Sequence, residues 1–290
     1  VNMDFARNYD INRVYSLDCY SPNLYSSSYN RFYWDFFNNQ IGNNIAFRNM
    51  LITGGSSNEL FDSFMGVKYV ITDKDLNSSL QRLDSKGDLT LYYNDNAYPI
   101  MYFSDVIGSN KQYNKLKFPF NMEYLLRFSF SSKGREIDYD SNIKRVDVLD
   151  EKYDFEVQEE SVRNYPLSNK FSAGYLLISF DMLYNQECKD GNGDVSISIN
   201  GIRNKLTCKS WEYHNKNNNF KYVVPVDDNT KNLRVRVTPG KYVISNVEVY
   251  YYSGGGKSYQ QIDDLDINLK DSLIKGKVTT KTNGYVITSI

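Results

Sequence analysis

From about residue 136 onward, hydrophobic and polar residues alternate in short runs. Arg145-Val146-Asp147-Val148-Leu149 and segments 174–182, 195–199, 220–226, 233–237, 243–252 and 285–288 follow the period of two that sends successive side chains to opposite faces of a sheet. Turn chemistry separates them: Asn200-Gly201, Asp227-Asp228-Asn229 and Pro239-Gly240. Regular strand spacing with Asn/Gly turns predicts an antiparallel β-sandwich of the jelly-roll kind over 136–290.

The first 108 residues mix periods. Arg13-Val14-Tyr15-Ser16-Leu17 reads as a strand. Over 29–39, Phe32, Phe36 and Phe37 recur at helical spacing. Residues 58–65 read as a helix, capped by Ser57 or Asn58 and stopped by Gly66. The β-branched run 67–72 follows as a buried strand, and 89–93 and 100–103 read as two strands around Asn94-Asp95-Asn96. Pro119 precedes an amphipathic helix over 120–130, with Phe120, Tyr124, Leu125 and Phe128 on one side. The expected architecture is α+β: a small α+β domain over 1–108, a helical connector over 109–135 and the sandwich over 136–290. No internal repeat of 20–50 residues stands out.

A chain of 290 residues suits two domains, and 41% hydrophobic residues suffice for a real core. Balanced charge, 34 Lys+Arg against 35 Asp+Glu, argues against a nucleic-acid partner, which would demand a surplus of cations. Mean hydropathy is -0.56, and no apolar run approaches the ~20 residues of a membrane span. No initiator Met and no charged-then-apolar leader stand at Val1, so the expectation is an excised fragment or a mature segment. The 26 Tyr and 16 Phe fit strand packing better than a sugar-stacking surface.

Candidate chemistry is sparse. His214 is the single histidine, and Cys19, Cys188 and Cys208 show no metal-ligand spacing, so neither a metal nor a cofactor is expected. Pairing of Cys188 with Cys208 stays open. His214 sits in an Asn-rich stretch that reads as a hairpin tip, not as half of a catalytic dyad. Residues 190–194 (DGNGD) alternate side-chain oxygens with Gly as calcium loops do, but a hairpin turn is the better reading. Residues 253–258 (SGGGKS) lack phosphate-loop spacing and read as a linker. The doublets Glu159-Glu160, Asp227-Asp228 and Asp263-Asp264 point to opposite strand faces and make no acid/base pair alone. A hydrolase would need two carboxylates converging in a cleft, and no motif demands one. Trp211 and Tyr213 alternate near His214 and would stack a sugar ring in a carbohydrate-binding module; core or edge packing is preferred. Tyr25-Ser26-Ser27-Ser28-Tyr29-Asn30 either caps the following helix or forms a polar binding lip, with capping preferred.

The order of segments resembles the YfhO family of bacterial multi-spanning membrane proteins. Residues 60–71 (LFDSFMGVKYVI) are similar to that family's leucine-rich helix followed by Gly-Val-Lys-Tyr-Val-Ile, and residues 91–99 (LYYNDNAYP) to its Tyr-x-Asn-x-x-Ala-x-Pro run. Arg13-Val14, Tyr25-Ser26-Ser27 with Asn30, Phe118-Pro119-Phe120 and Ile199-Asn200-Gly201 also fit, so the resemblance covers nearly the whole chain. It implies the extracytoplasmic region of a GT-C-like envelope glycosyltransferase of a Gram-positive bacterium. Such proteins use undecaprenyl-phosphate-linked sugar to decorate polymers such as lipoteichoic acid. The catalytic carboxylate would then lie in loops between transmembrane helices outside this chain, so no residue here is assigned catalysis. The family continues past Ile290 toward the membrane, which implies a sandwich cut short at its C-terminus. The implied partners are the protein's own transmembrane helices, the polyprenyl-phosphate-linked sugar and the envelope glycopolymer. The implied place is the extracytoplasmic face of the cell membrane. Tyr25, Ser26, Ser27, Tyr29 and Asn30 are the residues expected to touch substrate. The alternative is a stand-alone carbohydrate-binding or adhesion module centred on Trp211 and Tyr213.

Overall fold

The computed structural model describes residues 2–4, 24–26, 31–41, 51–53, 58–73, 76, 78–99, 101–104, 106–148, 155–184, 194–207, 219–254, 259–261, 263–268, 273–277 and 285–288. The elements begin with β1 (Asn2–Asp4), β2 (Leu24–Ser26) and helix α1 (Arg31–Asp35), which runs on as a π-helical turn, Phe36–Gln40. Next come β3 (Leu51–Thr53), α2 (Glu59–Phe64), β4 (Tyr69–Thr72), β5 (Gln81–Lys86), β6 (Leu89–Tyr93) and β7 (Met101–Ser104). Then follow β8 (Ile107–Ser109), α3 (Asn110–Tyr113), α4 (Phe120–Arg127) and β9 (Ser129–Ser131). The sandwich strands are β10 (Ile143–Arg145), β11 (Phe155–Val157), β12 (Ser161–Pro166), β13 (Gly174–Tyr184), β14 (Asp194–Ile199), β15 (Ile202–Thr207), β16 (Asn219–Val226), β17 (Asn232–Val237) and β18 (Gly240–Tyr252). The described chain ends with β19 (Tyr259–Gln261), β20 (Asp263–Asn268), β21 (Leu273–Lys277) and β22 (Tyr285–Thr288).

The sandwich is a jelly roll. One sheet has the order β10-β18-β13-β16, with β11 also paired to β18, and the other has β12-β17-β14-β15. Counting β10 and β11 as one interrupted strand, the orders become 1-8-3-6 and 2-7-4-5, the two interleaved Greek keys of that fold. Alternation positions the core: Leu233, Val235 and Val237 of β17 are buried while Asn232, Arg234 and Arg236 are exposed. Across the gap they meet Leu176, Ile178, Phe180 and Met182 of β13.

β13 is buried on both faces. Tyr175 and Leu177, with Val223 and Tyr252, belong to a second core with Leu60 and Phe61 of α2 and Met122, Tyr124, Leu125 and Leu126 of α4. This explains why β13 opens on the unbroken apolar run Tyr175-Leu176-Leu177-Ile178. The result is three layers: outer sheet, shared sheet and helices. In the helical layer, α2 starts where Asn58 Oδ1 accepts from Phe61 N at 3.0 Å and stops at Gly66, whose φ of +70° suits glycine. β4 then enters a sheet of order β1-β4-β6-β5.

Four expectations are corrected. The helix expected over 29–39 is a short α-helix followed by the π-turn; Phe37 is buried and Phe36 half-buried, but Phe32 is 85% exposed. The helix expected over 120–130 ends at Arg127, where Phe128 is extended and Ser129–Ser131 forms β9, and it is buried all round from Asn121 to Leu126 as a core helix. The strands at 89–93 and 101–104 do not pair with each other: β6 lies between β4 and β5, while β7 pairs with β19 and β22. Tyr285–Thr288 therefore lies outside the sandwich, registered against Met101–Ser104. The strand expected at 13–17 lies outside the described residues.

Candidate functional site

An open groove of about 1010 Å³ runs along the sandwich and reaches the helical layer at Ser79. Ser198 of β14 lines it beside Arg236 of β17, its cross-strand partner, and Arg234 lies two residues back on the same exposed side. Asn200 and Gly201, at φ +47° and +89°, make the tight turn from β14 to β15. Asn200 Oδ1 accepts from Arg234 N at 2.7 Å, tying that turn to β17. At the next turn, Asp227 accepts from Thr230 Oγ1 at 2.9 Å and from Asn229 N at 3.1 Å. These bonds hold its carboxyl below the usual aspartate value. Glu160 lies 3.3 Å from Arg236 Nη1, with both side chains more than half exposed.

Behind the groove wall sits a buried carboxylate. Glu59, the first residue of α2, is 8% exposed and accepts four contacts from two residues. Ser79 N donates at 3.1 and 3.2 Å, Ser79 Oγ at 2.6 Å and Tyr175 Oη at 3.3 Å. Ser79 Oγ and Tyr175 Oη are also 2.9 Å apart. Burial pushes the Glu59 carboxyl above the ordinary glutamate range, partly offset by the donors of Ser79 and Tyr175. Burial and the nearby Glu59 charge push Tyr175 upward too. A hydroxyl at 2.6 Å from a carboxylate is the pairing of nucleophile and base. Here, however, the Ser79 N–H and hydroxyl both serve the same carboxylate. The cluster acts as a clamp, fastening the 78–80 segment to α2 and to the shared sheet.

A second clamp joins α4 to the entrance of the sandwich. Glu123, fully buried, accepts from Arg127 Nη1 at 3.1 Å, Ser141 Oγ at 2.6 Å and Asn142 N at 2.6 Å. Arg127 also donates to the Asp140 carbonyl and lies over the Phe128 and Tyr139 rings. Arg127 stands one helical turn from Glu123, but Ser141 and Asn142 lie 18 and 19 positions from Glu123. Ser79 and Tyr175 lie 20 and 116 positions from Glu59, so neither clamp shows in the sequence.

The residues singled out from sequence fall as follows. Tyr25 and Ser26 lie on β2, paired with Ile52 and Leu51 of β3. Ser27, Tyr29 and Asn30 lie outside the described residues, as do Trp211, Tyr213, His214 and the three cysteines. Of the 190–194 stretch only Asp194, the first residue of β14, is described. No group of three His, Cys, Asp or Glu side chains among the described residues could hold a metal ion. No described helix is long and apolar enough to cross a membrane.

No family model matches the chain, and no curated protein does. Among solved structures, dimeric latent PorU from Porphyromonas gingivalis is similar over 59% of this chain and 19% of that one, at 13% identity and a TM-score of 0.26. The match spans less than a fifth of PorU, and at that score it carries no argument about fold or function.

Proposed function

We propose that this chain is the extracytoplasmic part of a multi-spanning membrane glycosyltransferase that decorates cell-envelope polymers, lipoteichoic acid among them, with sugar from an undecaprenyl-phosphate carrier. Its work is to hold acceptor or donor over a catalytic centre carried by the transmembrane helices. Holding a reactant in place turns a bimolecular encounter into a local one. One observation carries the positioning role: the groove on the jelly roll. It is lined by Ser198, Asn200, Thr230 and Thr238, with the two arginines beside them. Hydroxyl, amide and guanidinium groups along one open groove suit a polyhydroxylated ligand. The resemblance to the YfhO family supplies the membrane machine, and its two most telling segments pack on one another at α2 and Asn94.

The test is polymer glycosylation in cells that carry the whole protein, compared with cells whose copy lacks residues 136–254. Loss of sugar on the polymer, with the membrane part still inserted, supports positioning. Unchanged sugar content removes it.

A further inference from the structure

We infer that Arg234 and Arg236 form a binding subsite for a phosphate group on the exposed face of the jelly roll. This deepens the positioning role proposed above for the same groove, but it rests on the groove's own chemistry.

Arg234 and Arg236 both line the groove and alternate with buried Val235 and Val237, so both leave the sheet on its exposed side. Their Cα atoms lie about 7 Å apart, the span of two residues of strand. At that spacing two long, flexible arginine side chains can close on a single anion. A tetrahedral phosphate presents oxygens in several directions and can take two forks at once. A carboxylate presents only two oxygens, both in one plane, and is filled by one fork. Ser198, beside Arg236 in register, adds a hydroxyl donor, and the Thr230 and Thr238 hydroxyls stand along the same groove. The Asn200 amide fixes the strand at Arg234 N, so the fork is carried on rigid backbone.

Two carboxylates share the groove and set the terms of binding. Asp227 is already engaged by Thr230 and Asn229 within its own turn. Glu160 makes one contact to Arg236 at 3.3 Å, well exposed to water, and competes with an incoming anion for that fork. Arg234 makes no side-chain ion pair among the described residues. The phosphate has two sources: a phosphodiester in a soluble polymer or the head group of a lipid.

The experiment titrates the whole 290-residue chain at low salt with inorganic phosphate and with glycerol 3-phosphate, followed by phosphorus NMR. In parallel, vesicles of phosphatidylglycerol in phosphatidylcholine are compared with phosphatidylcholine alone by co-sedimentation. Binding should weaken about tenfold or more in R234A/R236A and tighten in E160Q, while the thermal midpoint stays within error of wild type because these side chains are exposed. Binding of the soluble phosphates assigns the polymer source, and binding confined to anionic vesicles assigns the head group. An R234A/R236A chain that binds like wild type overturns the subsite, and so does a wild-type chain that binds none of the probes. Phosphate binding that survives alongside unchanged polymer glycosylation in the 136–254 deletion keeps the subsite and discards the positioning role. The reverse pair of results does the opposite.

Discussion

Asn94 Nδ2 donates to Ser63 Oγ at 3.1 Å, joining the end of β6 to α2 across 31 residues of sequence. The same amide donates to the Val67 carbonyl at 3.1 Å, and its Oδ1 accepts from Asn96 N at 3.1 Å. One buried side chain thus closes the turn after α2 and shapes the turn after β6. The Asn94→Ala variant should lose about 1–3 kcal/mol of stability, since it leaves the Val67 carbonyl and Ser63 without this donor in a buried site. Urea unfolding measures it; a loss under about 0.5 kcal/mol, the range of ordinary surface changes, contradicts this role.

Glu59 makes stability depend on pH in an unusual direction. Its carboxyl is held above the ordinary glutamate value, mainly by burial. Between the ordinary value and the raised one, the folded chain binds more protons at this site than the unfolded chain. Its contribution is therefore full below that window and is lost as pH rises through it. The stability of wild type relative to Glu59→Gln should increase as pH falls from about 7 to about 4. Unfolding curves for both chains at several pH values check this, and a difference that stays flat with pH contradicts it.

Leu177 connects the layers. It is fully buried in the core shared by the jelly roll and α4, whereas Leu83 stands 46% exposed on β5. Leu177→Ala should cost about 2–5 kcal/mol and Leu83→Ala no more than about 0.5 kcal/mol. Similar losses for the two would contradict the buried role of β13's second face.

Gly108 allows β8 to lie against the fully buried Tyr124 ring, and a Cβ at that position would collide with the Tyr124 hydroxyl. Gly108→Ala should destabilise by about 1–3 kcal/mol through overpacking. The paired variant Gly108→Ala with Tyr124→Phe, which removes the colliding oxygen, should recover part of that loss in thermal unfolding. No recovery would place the cost elsewhere.

What could be read along the sequence is what local chemistry encodes. β17 alternates because one face is dry, α2 carries its own cap and glycine stop, and Asn200-Gly201 names its turn. β5 left no such signal. Its residues Gln81–Lys86 are all exposed at the edge of their sheet, so no buried face imposed alternation, and Arg82, Asp84 and Lys86 discourage further pairing. Strand partners were equally hidden: the Asn94-Asp95-Asn96 turn suggested a hairpin to β7, yet β7 takes partners more than 150 residues away, at Tyr259–Gln261 and Tyr285–Thr288. The same distance conceals the site. Glu59 meets Ser79 and Tyr175, 20 and 116 positions away, and only the folded chain brings them together. The substrate residues expected at 25–30 are described only as far as the backbone of Tyr25 and Ser26, whereas the groove is built by Ser198, Asn200, Arg234 and Arg236, residues whose spacing reads simply as strand and turn.

The most direct measurement supplies polyprenyl-phosphate-linked sugar and lipoteichoic acid to the 290-residue chain alone and, separately, to the proposed full-length membrane transferase in lipid, and follows sugar transfer to the polymer. The account predicts transfer by that full-length protein, and polymer binding without any transfer by the chain alone. Sugar transfer catalysed by the isolated chain would contradict it.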